Sequence, residues 1–406
     1  ELWGAEYQES NAILVDASAK ALLEAMARRE QCHVDFVGEV TGDGIVKVVD
    51  DRLAQPQTVS ELPLALVLAD MPKKVFRSIT PTPAFARLEV PSSLTCREAT
   101  RMVFGLPSVC SKRFLVHKVD RSVTGLVAQQ QCVGPFQLPL ANCAVLARSH
   151  LSTEGVAIAV GEAPQLSALS PSRMAKRSVC EMLTNLCWAR VADRNDIRLS
   201  ANWMWAAKLE GEGARMYEAC EAMCGALLQC GCAVDGGKDS LSMAASDGQG
   251  GVCRSPGALT LTAYATCPDI TATITPDLKP HQGGLVFVDL GTGSVALGGS
   301  ALAQALGQLG SEAPDSDVDA ATRAFDAVQQ LIVDKLIVAG HDRSDGGLVT
   351  TLLEMAFAGG CGLDCAFTSK ASTGAPKWAS VLFSEAPGLV VQCARGREAR
   401  VLAVFV

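Results

Sequence analysis

The fold class follows from one stretch, Leu336-Ile-Val-Ala-Gly-His-Asp-Arg-Ser-Asp-Gly-Gly-Leu348. Its apolar beginning predicts a strand over 336–339, its polar middle predicts a loop, and the residues after it predict a helix over 348–358. α/β proteins place ligands where strand, polar loop and helix follow one another, because the helix N-terminus offers phosphate unpaired N–H groups and a positive dipole. The stretch therefore predicts an α/β fold with a ligand site in the loop.

Two carboxylates and a hydroxyl make this loop a candidate site for a metal-bound nucleotide. Asp342 and Asp345 supply the carboxylates, and Ser344 supplies the hydroxyl. Magnesium prefers one or two carboxylates together with water and phosphate oxygens in an octahedral arrangement. The competing interpretation is that Ser344 or Asp345 only caps the helix. The loop sequence leaves both interpretations open.

The same alternation of strands and helices extends through the rest of the chain. The pattern predicts strands over 143–147, 156–160, 259–266 and 285–290, and helices over 94–104, 171–191 and 213–230. Shorter signals predict a strand over 11–15, a helix over 19–29, a hairpin at Asp43-Gly44 within 34–49, and a strand over 401–406. Together they predict an α/β (α+β) fold with mixed sheets covered by helices.

Composition and patterning divide the chain into four segments. Between residues 56 and 93 prolines are frequent and periodicity fades, which predicts a linker. Residues 1–55 then form the end of one lobe, residues 94–276 a second lobe, and residues 277–406 a third lobe that is truncated. The chain begins with Glu1 rather than methionine and ends within a patterned segment, so we expect a fragment.

Bulk composition indicates a globular protein that acts on a small molecule. The 406 residues are 49% hydrophobic and 19% charged, and 35 Lys+Arg against 43 Asp+Glu give a net charge of −8. This leaves no surplus of cations to neutralise a nucleic acid or an anionic membrane. The 16 cysteines include no CxxC pair, which favours buried reduced thiols. There is no signal peptide and no apolar run of ~18 residues, so we expect a cytosolic location.

Two further stretches carry residues that suit metal or phosphate. Glu181 and Asn185 are four residues apart on the predicted helix over 171–191, so their oxygens share one face. A solvated polar stripe is the alternative that the pattern alone favours. The segment over 233–243 offers two glycines and a lysine to an anion, but Asp239 stands where a phosphate-binding loop needs Ser or Thr. A glycine turn is the interpretation that the pattern favours there.

Six longer strings of the sequence occur in a fixed order. They are Trp3-Gly-Ala-Glu-Tyr-Gln-Glu-Ser10, Asp120-Arg-Ser-Val-Thr-Gly-Leu-Val-Ala-Gln129, Glu181-Met-Leu-Thr-Asn185, Asn202-Trp-Met204, Gly236-Gly-Lys-Asp-Ser-Leu-Ser-Met243 and His341-Asp-Arg-Ser-Asp-Gly-Gly-Leu348. In content and order they resemble the large, single-chain phosphoribosylformylglycinamidine synthases. The resemblance covers essentially the whole chain.

The resemblance implies an ATP-dependent ligase of de novo purine biosynthesis. Members of this family phosphorylate the formyl-amide oxygen of formylglycinamide ribonucleotide, and ammonia from a glutaminase domain then displaces phosphate to give the amidine. Their synthetase core resembles two fused copies of the aminoimidazole-ribonucleotide-synthetase fold. By this analogy residues 1–55 end the first copy, and residues 94–276 and 277–406 are the lobes of the second. The glutaminase is absent from the sequence, so we expect the chain alone to be inactive.

Residue by residue, the resemblance implies three groups of contacts and no assigned catalytic residue. The substrate contacts are Glu6, Tyr7, Gln8 and Ser240. The contacts to ATP or ADP are Ala141, Asn202, Gly237 and Ser344. The Mg²⁺ ligands are Asn142, Glu181, Asn185 and Asp342. The metal and nucleotide contacts resemble an auxiliary nucleotide site that is distinct from the turnover site.

Asn142 departs from the family pattern, which places an aspartate metal ligand directly after Ala141. A neutral amide can coordinate magnesium but removes one negative charge, so we expect weaker metal binding. The same residue is the only support for a second hypothesis, a non-catalytic homologue that persists as an ADP-stabilised scaffold. A third hypothesis, a kinase-like member of the same superfold, disagrees with the Asn202-Trp-Met204 and Glu6-Tyr-Gln8 strings.

Overall fold

A computed structural model describes residues 10–52, 54–68, 73, 75–81, 84–119, 121–122, 125–293, 295–367 and 376–405. The chain divides into two compact units, Glu1–Phe76 and Arg77–Val406. The predicted substrate contacts Glu6, Tyr7 and Gln8 lie outside the described residues. Every other predicted site residue lies in the second unit.

The described residues of the first unit form a helix of three turns, a shorter helix and a two-stranded sheet. Helix α1 spans Lys20–Glu30, strand β1 spans Ile45–Asp50, β2 spans Gln57–Pro63, and the short helix α2 spans Leu64–Leu68. β1 pairs antiparallel with β2. The predicted strand over 11–15 is wrong, because these residues form no strand. The predicted hairpin at Asp43-Gly44 is wrong as well, because β1 pairs with β2, which follows it in the chain. Asp43 instead accepts the Ile45 N–H at 3.0 Å, so this turn only starts β1.

A six-stranded sheet forms the centre of the second unit. Its strands lie in the order β3-β4-β5-β10-β6-β7, and all neighbours are antiparallel except the parallel pair β6 and β7. The chain order, including the separate β8–β9 hairpin, is β3 Val127–Gln129, β4 Cys143–Ala147, β5 Gly155–Glu162, β6 Arg198–Met204, β7 Ala233–Ser240, β8 Ala244–Ser246, β9 Val252–Arg254 and β10 Ala258–Cys267. Alternate residues of β5 and β10 are buried, as period-two patterning requires.

Two helices enclose the main hydrophobic core of this sheet: α5 Pro171–Leu186 packs against the sheet, and α6 Glu212–Cys230 packs against α5. Two helices precede them in the chain, α3 Cys96–Phe104, which belongs to a separate smaller hydrophobic cluster, and α4 Arg113–Val116, which buries no residue. Ser170 caps α5 by accepting the Arg173 N–H, and Pro171 opens the helix with its φ already suited to it. At Gly161 the strand β5 meets α5 so closely that a Cβ would lie 2.2 Å from the Ser178 carbonyl oxygen.

A second, three-stranded sheet completes the unit. Strand β11 spans Leu285–Asp289, β12 spans Ile337–Asp342 and β13 spans Gly388–Cys393, and they lie in the antiparallel order β11-β13-β12. The accompanying helices are α7 Ala301–Ala305, α8 Val318–Val333, α9 Gly347–Gly359, α10 Lys377–Phe383 and α11 Glu398–Phe405. The predicted strand over 401–406 is wrong, because α11 occupies that apolar run and buries Val401 while Leu402 stays exposed.

The predicted fold class, mixed sheets covered by helices, is confirmed by this architecture. The segment predicted as a linker contains β2 and α2. The four predicted segment boundaries stay predictions. None of the described helices is long and apolar enough to cross a lipid bilayer.

Candidate functional site

A cavity of about 460 Å³ opens where the start of β4, the middle of β5, the end of α5 and the end of β12 meet. Five of the predicted site residues line it: Ala141, Asn142, Asn185, Asp342 and Ser344. They come from three separate stretches of sequence. The fold therefore brings two of the four predicted nucleotide contacts and three of the four predicted metal ligands to one cavity.

Three elements hold the polar side chains of this cavity. Asp342 is the last residue of β12 and only 3% of it is exposed. Asn185 lies in the last turn of α5, and its Nδ2 donates to the Val160 carbonyl oxygen of β5 at 2.9 Å. Asn142 directly precedes β4. Because Nδ2 of Asn185 is turned towards β5, its Oδ1 is turned towards Asn142.

Asn142 joins the other two side chains directly. Its Nδ2 donates to Asn185 Oδ1 at 2.7 Å and to Asp342 Oδ1 at 2.5 Å. The second carboxylate oxygen of Asp342 is buried and has no hydrogen-bond partner among the described residues. A buried carboxylate oxygen without a donor is costly, so this atom marks a place for a cation or a donor from a ligand.

His341 and Glu354 extend the cluster, and sequence reasoning gave neither of them a role. The imidazole Nδ1 lies 2.8 Å from Asn142 Oδ1, and Nε2 lies 3.0 Å from Glu354 Oε2. Burial disfavours the charged ring, but the hydrogen bond to Glu354 and the charges of Asp342 and Glu354 outweigh it, so the pKa of His341 is raised. The available signal was Glu354 itself, the one charged residue in the apolar helix α9.

Glu181 lies one helical turn before Asn185 but does not line the cavity. Its side chain is 16% exposed, and its Oε2 lies 4.0 Å from Arg177 Nε. Burial raises the pKa of Glu181 well above its ordinary value, Arg177 opposes this shift, and nearby acids such as Asp342 and Asp345 reinforce it. The carboxyl group therefore sits in an environment that favours either a proton or a cation.

The loop between β12 and α9 is held by a buried carboxyl group. Glu385 Oε1 accepts the backbone N–H groups of Ala301 at 2.8 Å and of Gly346 at 2.7 Å. Burial first, and then the nearby charge of Asp345, raise the pKa of Glu385 to about 8. On the other side of the loop, Gln165 donates to Asp345 at 2.9 Å. These contacts fix the backbone that carries Asp342 and Ser344.

The helix-cap interpretation of this loop is wrong. The N-cap of α9 is Gly346, with φ of 85°, and no side chain caps the helix. A left-handed backbone at this position suits glycine because other residues meet steric strain there. Neither the Ser344 nor the Asp345 side chain therefore caps the helix.

The predicted contacts Asn202, Gly237 and Ser240 lie elsewhere and do not line this cavity. They sit on the parallel pair β6 and β7, and the predicted glycine turn is wrong because its residues form β7. A side chain at Gly237 would place its Cβ 2.1 Å from the Ala201 carbonyl oxygen. Glycine at this position therefore permits close strand pairing, and the predicted site residues fall into two separate groups.

Comparison with known families matches the two sheets of the second unit separately. Residues 111–266 match the FGAR-AT PurM_N-like domain, and residues 289–406 match the C-terminal domain of AIR synthase related proteins. Human phosphoribosylformylglycinamidine synthase is 50% identical over 99% of this chain. The chain belongs to the phosphoribosylformylglycinamidine synthase family. It spans about a third of that relative's length, 31%.

Solved structures share the phosphoribosylformylglycinamidine synthase fold. T. maritima PurL complexed with FGAR aligns over 77% of this chain and 47% of that chain, with a TM-score of 0.54 and 13% identity. T. maritima PurL complexed with ADP aligns over 76% of this chain and 44% of that chain, with a TM-score of 0.50 and 12% identity. At these identities the likeness shows the fold.

Proposed function

We propose that this chain is part of an ATP- and glutamine-dependent ligase that converts formylglycinamide ribonucleotide to formylglycinamidine ribonucleotide in de novo purine biosynthesis. The family membership supports this activity, as does the fold shared with a PurL complexed with FGAR. Ammonia would come from a glutaminase domain, and turnover would require more than this chain. The predicted cytosolic location stays a prediction.

The cavity beside Asp342 is the proposed nucleotide site. The observation that carries this assignment is the convergence of Asn142, Asn185 and Asp342, in which one Asp342 oxygen is buried without a partner. The fold shared with a PurL complexed with ADP supports a nucleotide as occupant. Ala141 and Ser344 line the same cavity and would lie beside the phosphates.

The donor set fits Mg²⁺ through amides as well as carboxylates. No three His, Cys, Asp or Glu side chains within the described ranges are arranged to hold a metal ion. Asp342 and Asn185 nevertheless aim oxygens at one point, and Asn142 lies between them, so these residues would hold the ion with Glu181 nearby. When bound, Mg²⁺ neutralises phosphate charge. This chain's residues would orient the ion and the phosphates.

The strands β6 and β7 are the proposed location of a second group of contacts. Asn202 and Gly237 would contact nucleotide, and Ser240 would contact the ribonucleotide substrate. Glu6, Tyr7 and Gln8 lie outside the described residues and stay predicted substrate contacts. Asn202 pairs in register with Lys238, next to Gly237, so the two nucleotide contacts are neighbours across the parallel pair.

Asn142 favours a second candidate function, an ADP-stabilised scaffold without turnover at this site. Its amide satisfies Asn185 and Asp342 without adding a charge. Binding of Mg-ADP that protects the protein from unfolding, without hydrolysis of ATP at this cavity, would favour this candidate.

Complementation of a purine auxotroph by the complete protein tests the proposed function. We expect growth with the unaltered protein and loss of growth with Asp342→Ala, because the buried carboxylate is the only negatively charged group among the three convergent side chains. Asp364→Ala is the matched control, since Asp364 is an exposed aspartate in the same unit. Normal growth with Asp342→Ala, in protein that is expressed at normal levels, would contradict the assigned role.

A further inference from the structure

The Asn142 carboxamide occupies the proposed cation site with its own N–H groups. Its two Nδ2 hydrogens match two acceptors, Asn185 Oδ1 at 2.7 Å and Asp342 Oδ1 at 2.5 Å. Each acceptor therefore has a donor without any cation. A carboxylate at position 142 would instead place a second negative charge against Asp342 in a buried site, which is unfavourable without a cation between them.

The far side of the same carboxamide is held as well. Asn142 Oδ1 lies 2.8 Å from His341 Nδ1, and the opposite ring nitrogen lies 3.0 Å from Glu354 Oε2. Contacts on both sides therefore hold the Asn142 side chain in the orientation that donates to Asn185 and Asp342.

A cation that binds Asn185 Oδ1 and Asp342 Oδ1 must displace the Asn142 N–H groups from both oxygens, because a cation and an N–H group cannot occupy the same position. Divalent cations such as Mg²⁺ prefer oxygen ligands, so the displaced N–H groups supply no ligand in exchange.

We propose that Asn142 determines the cation dependence of this site, because its N–H groups hold the site closed without a divalent cation and must be displaced when a cation binds. This inference rests on the proposed Mg²⁺–nucleotide site. It goes beyond that proposal because it assigns to the site a hydrogen-bonded arrangement that persists without metal. Cation binding must replace two hydrogen bonds, so it is weak, and a chain with aspartate at this position depends on the cation to stay closed.

The test uses the complete protein, Mn²⁺ as the probe, and the variant Asn142→Asp. Mn²⁺ affinity is measured by electron paramagnetic resonance, and local opening by hydrogen exchange of peptides that cover β12, with EDTA or with excess Mn²⁺. We expect Asn142→Asp to bind Mn²⁺ at least tenfold more tightly than the unaltered protein. In EDTA we expect β12 of the variant to exchange at least tenfold faster, with Mn²⁺ restoring protection. In the unaltered protein, the exchange rate of β12 should differ less than twofold between EDTA and excess Mn²⁺.

Asn195→Asp is the matched control, because Asn195 also donates to an aspartate, Asp193 at 3.1 Å, but on the surface. It should behave like the unaltered protein in both measurements. Asn142→Ala removes the donors without adding charge and covers the case in which Asn142→Asp does not fold. We expect its β12 to exchange faster in EDTA, with no gain in Mn²⁺ affinity.

Several outcomes overturn the inference. Equal Mn²⁺ affinity in the unaltered protein and Asn142→Asp would remove the role of Asn142 and leave the proposed nucleotide site intact. Protection of β12 in EDTA that is unaffected by Asn142→Asp or Asn142→Ala would do the same. Absence of Mn²⁺ binding at this site in both proteins would overturn the proposed metal site, and this inference with it.

Discussion

The cavity around Asp342 and the edge strand β7 both carry predicted ligand contacts, yet they are built in opposite ways. The cavity residues are almost all buried or half-buried, and hydrogen bonds tie together residues as far apart as Asn142 and Asp342. The β7 residues are almost all exposed, and β7 is placed by backbone pairing with β6. In the cavity, the loss of a side-chain contact should therefore lower stability most. In β7, only changes that disturb backbone pairing with β6 should lower it.

The largest effect should follow removal of the carboxyl group that holds the cavity loop. Glu385→Ala leaves the buried N–H groups of Ala301 and Gly346 without their acceptor. We expect the free energy of unfolding to fall by about 3 kcal/mol, since each unsatisfied buried group costs roughly 1–3 kcal/mol. Urea titration monitored by tryptophan fluorescence measures it.

Asp239→Ala is the control for this change, because Asp239 is an exposed acid on β7. We expect a change within about 0.5 kcal/mol. A similar loss of stability in both variants would show that the cavity loop is no more dependent on its side chains than the edge strand.

A smaller effect should follow a single methyl group added to β7. Gly237→Ala puts a Cβ 2.1 Å from the Ala201 carbonyl oxygen, whereas a Cβ at Gly236 meets nothing within 4 Å. We expect Gly237→Ala to lower the free energy of unfolding by about 2 kcal/mol because β7 must move away from β6. Gly236→Ala should change it by less than about 0.5 kcal/mol. Equal stability of the two variants in urea titration would refute the close pairing.

The cavity should also make stability depend on pH. The pKa of Glu385 is raised to about 8 in the folded protein, so between its ordinary pKa and pH 8 the folded state holds a proton that the unfolded state has lost. Stability is therefore full at low pH and falls as pH rises through this range.

Glu385→Gln isolates this contribution, because glutamine keeps the Oε1 acceptor and cannot ionise. Urea titrations at pH 6 and pH 8 should show a smaller difference for Glu385→Gln than for the unaltered protein. An unchanged difference would mean that other groups, such as Asp345 or Glu181, cause the pH dependence.

Sequence patterning predicted most elements of the second unit, because strong periodicity there reflects a real core. The predicted strand over 143–147 matches β4, and the predicted helix over 348–358 lies within α9. Patterning predicted the wrong elements where few residues are buried. In the first unit no residue of α1 is buried, so apolar residues near Asp43 carried no information about which strands pair.

The site was predictable where its chemistry lies within one element and hidden where it depends on long-range contact. The spacing of Glu181 and Asn185 put both on one predicted helix, and both lie in α5, although only Asn185 lines the cavity. The contact between His341 and Asn142 joins residues 199 positions apart, and no local pattern reveals it. The glycines of β7 suggested a turn because sequence cannot show that a neighbouring strand approaches Gly237.

The close approach of β5 and α5 at Gly161 has a consequence for how the ligands are aligned. Because no side chain separates strand from helix there, α5 cannot slide along or roll over the sheet without a collision. Main-chain geometry thus places the Cα atoms of Glu181 and Asn185, in addition to the contacts that their side chains make. Substitutions on the face of α5 that points away from the sheet should therefore leave the side-chain oxygens of Glu181 and Asn185 in place.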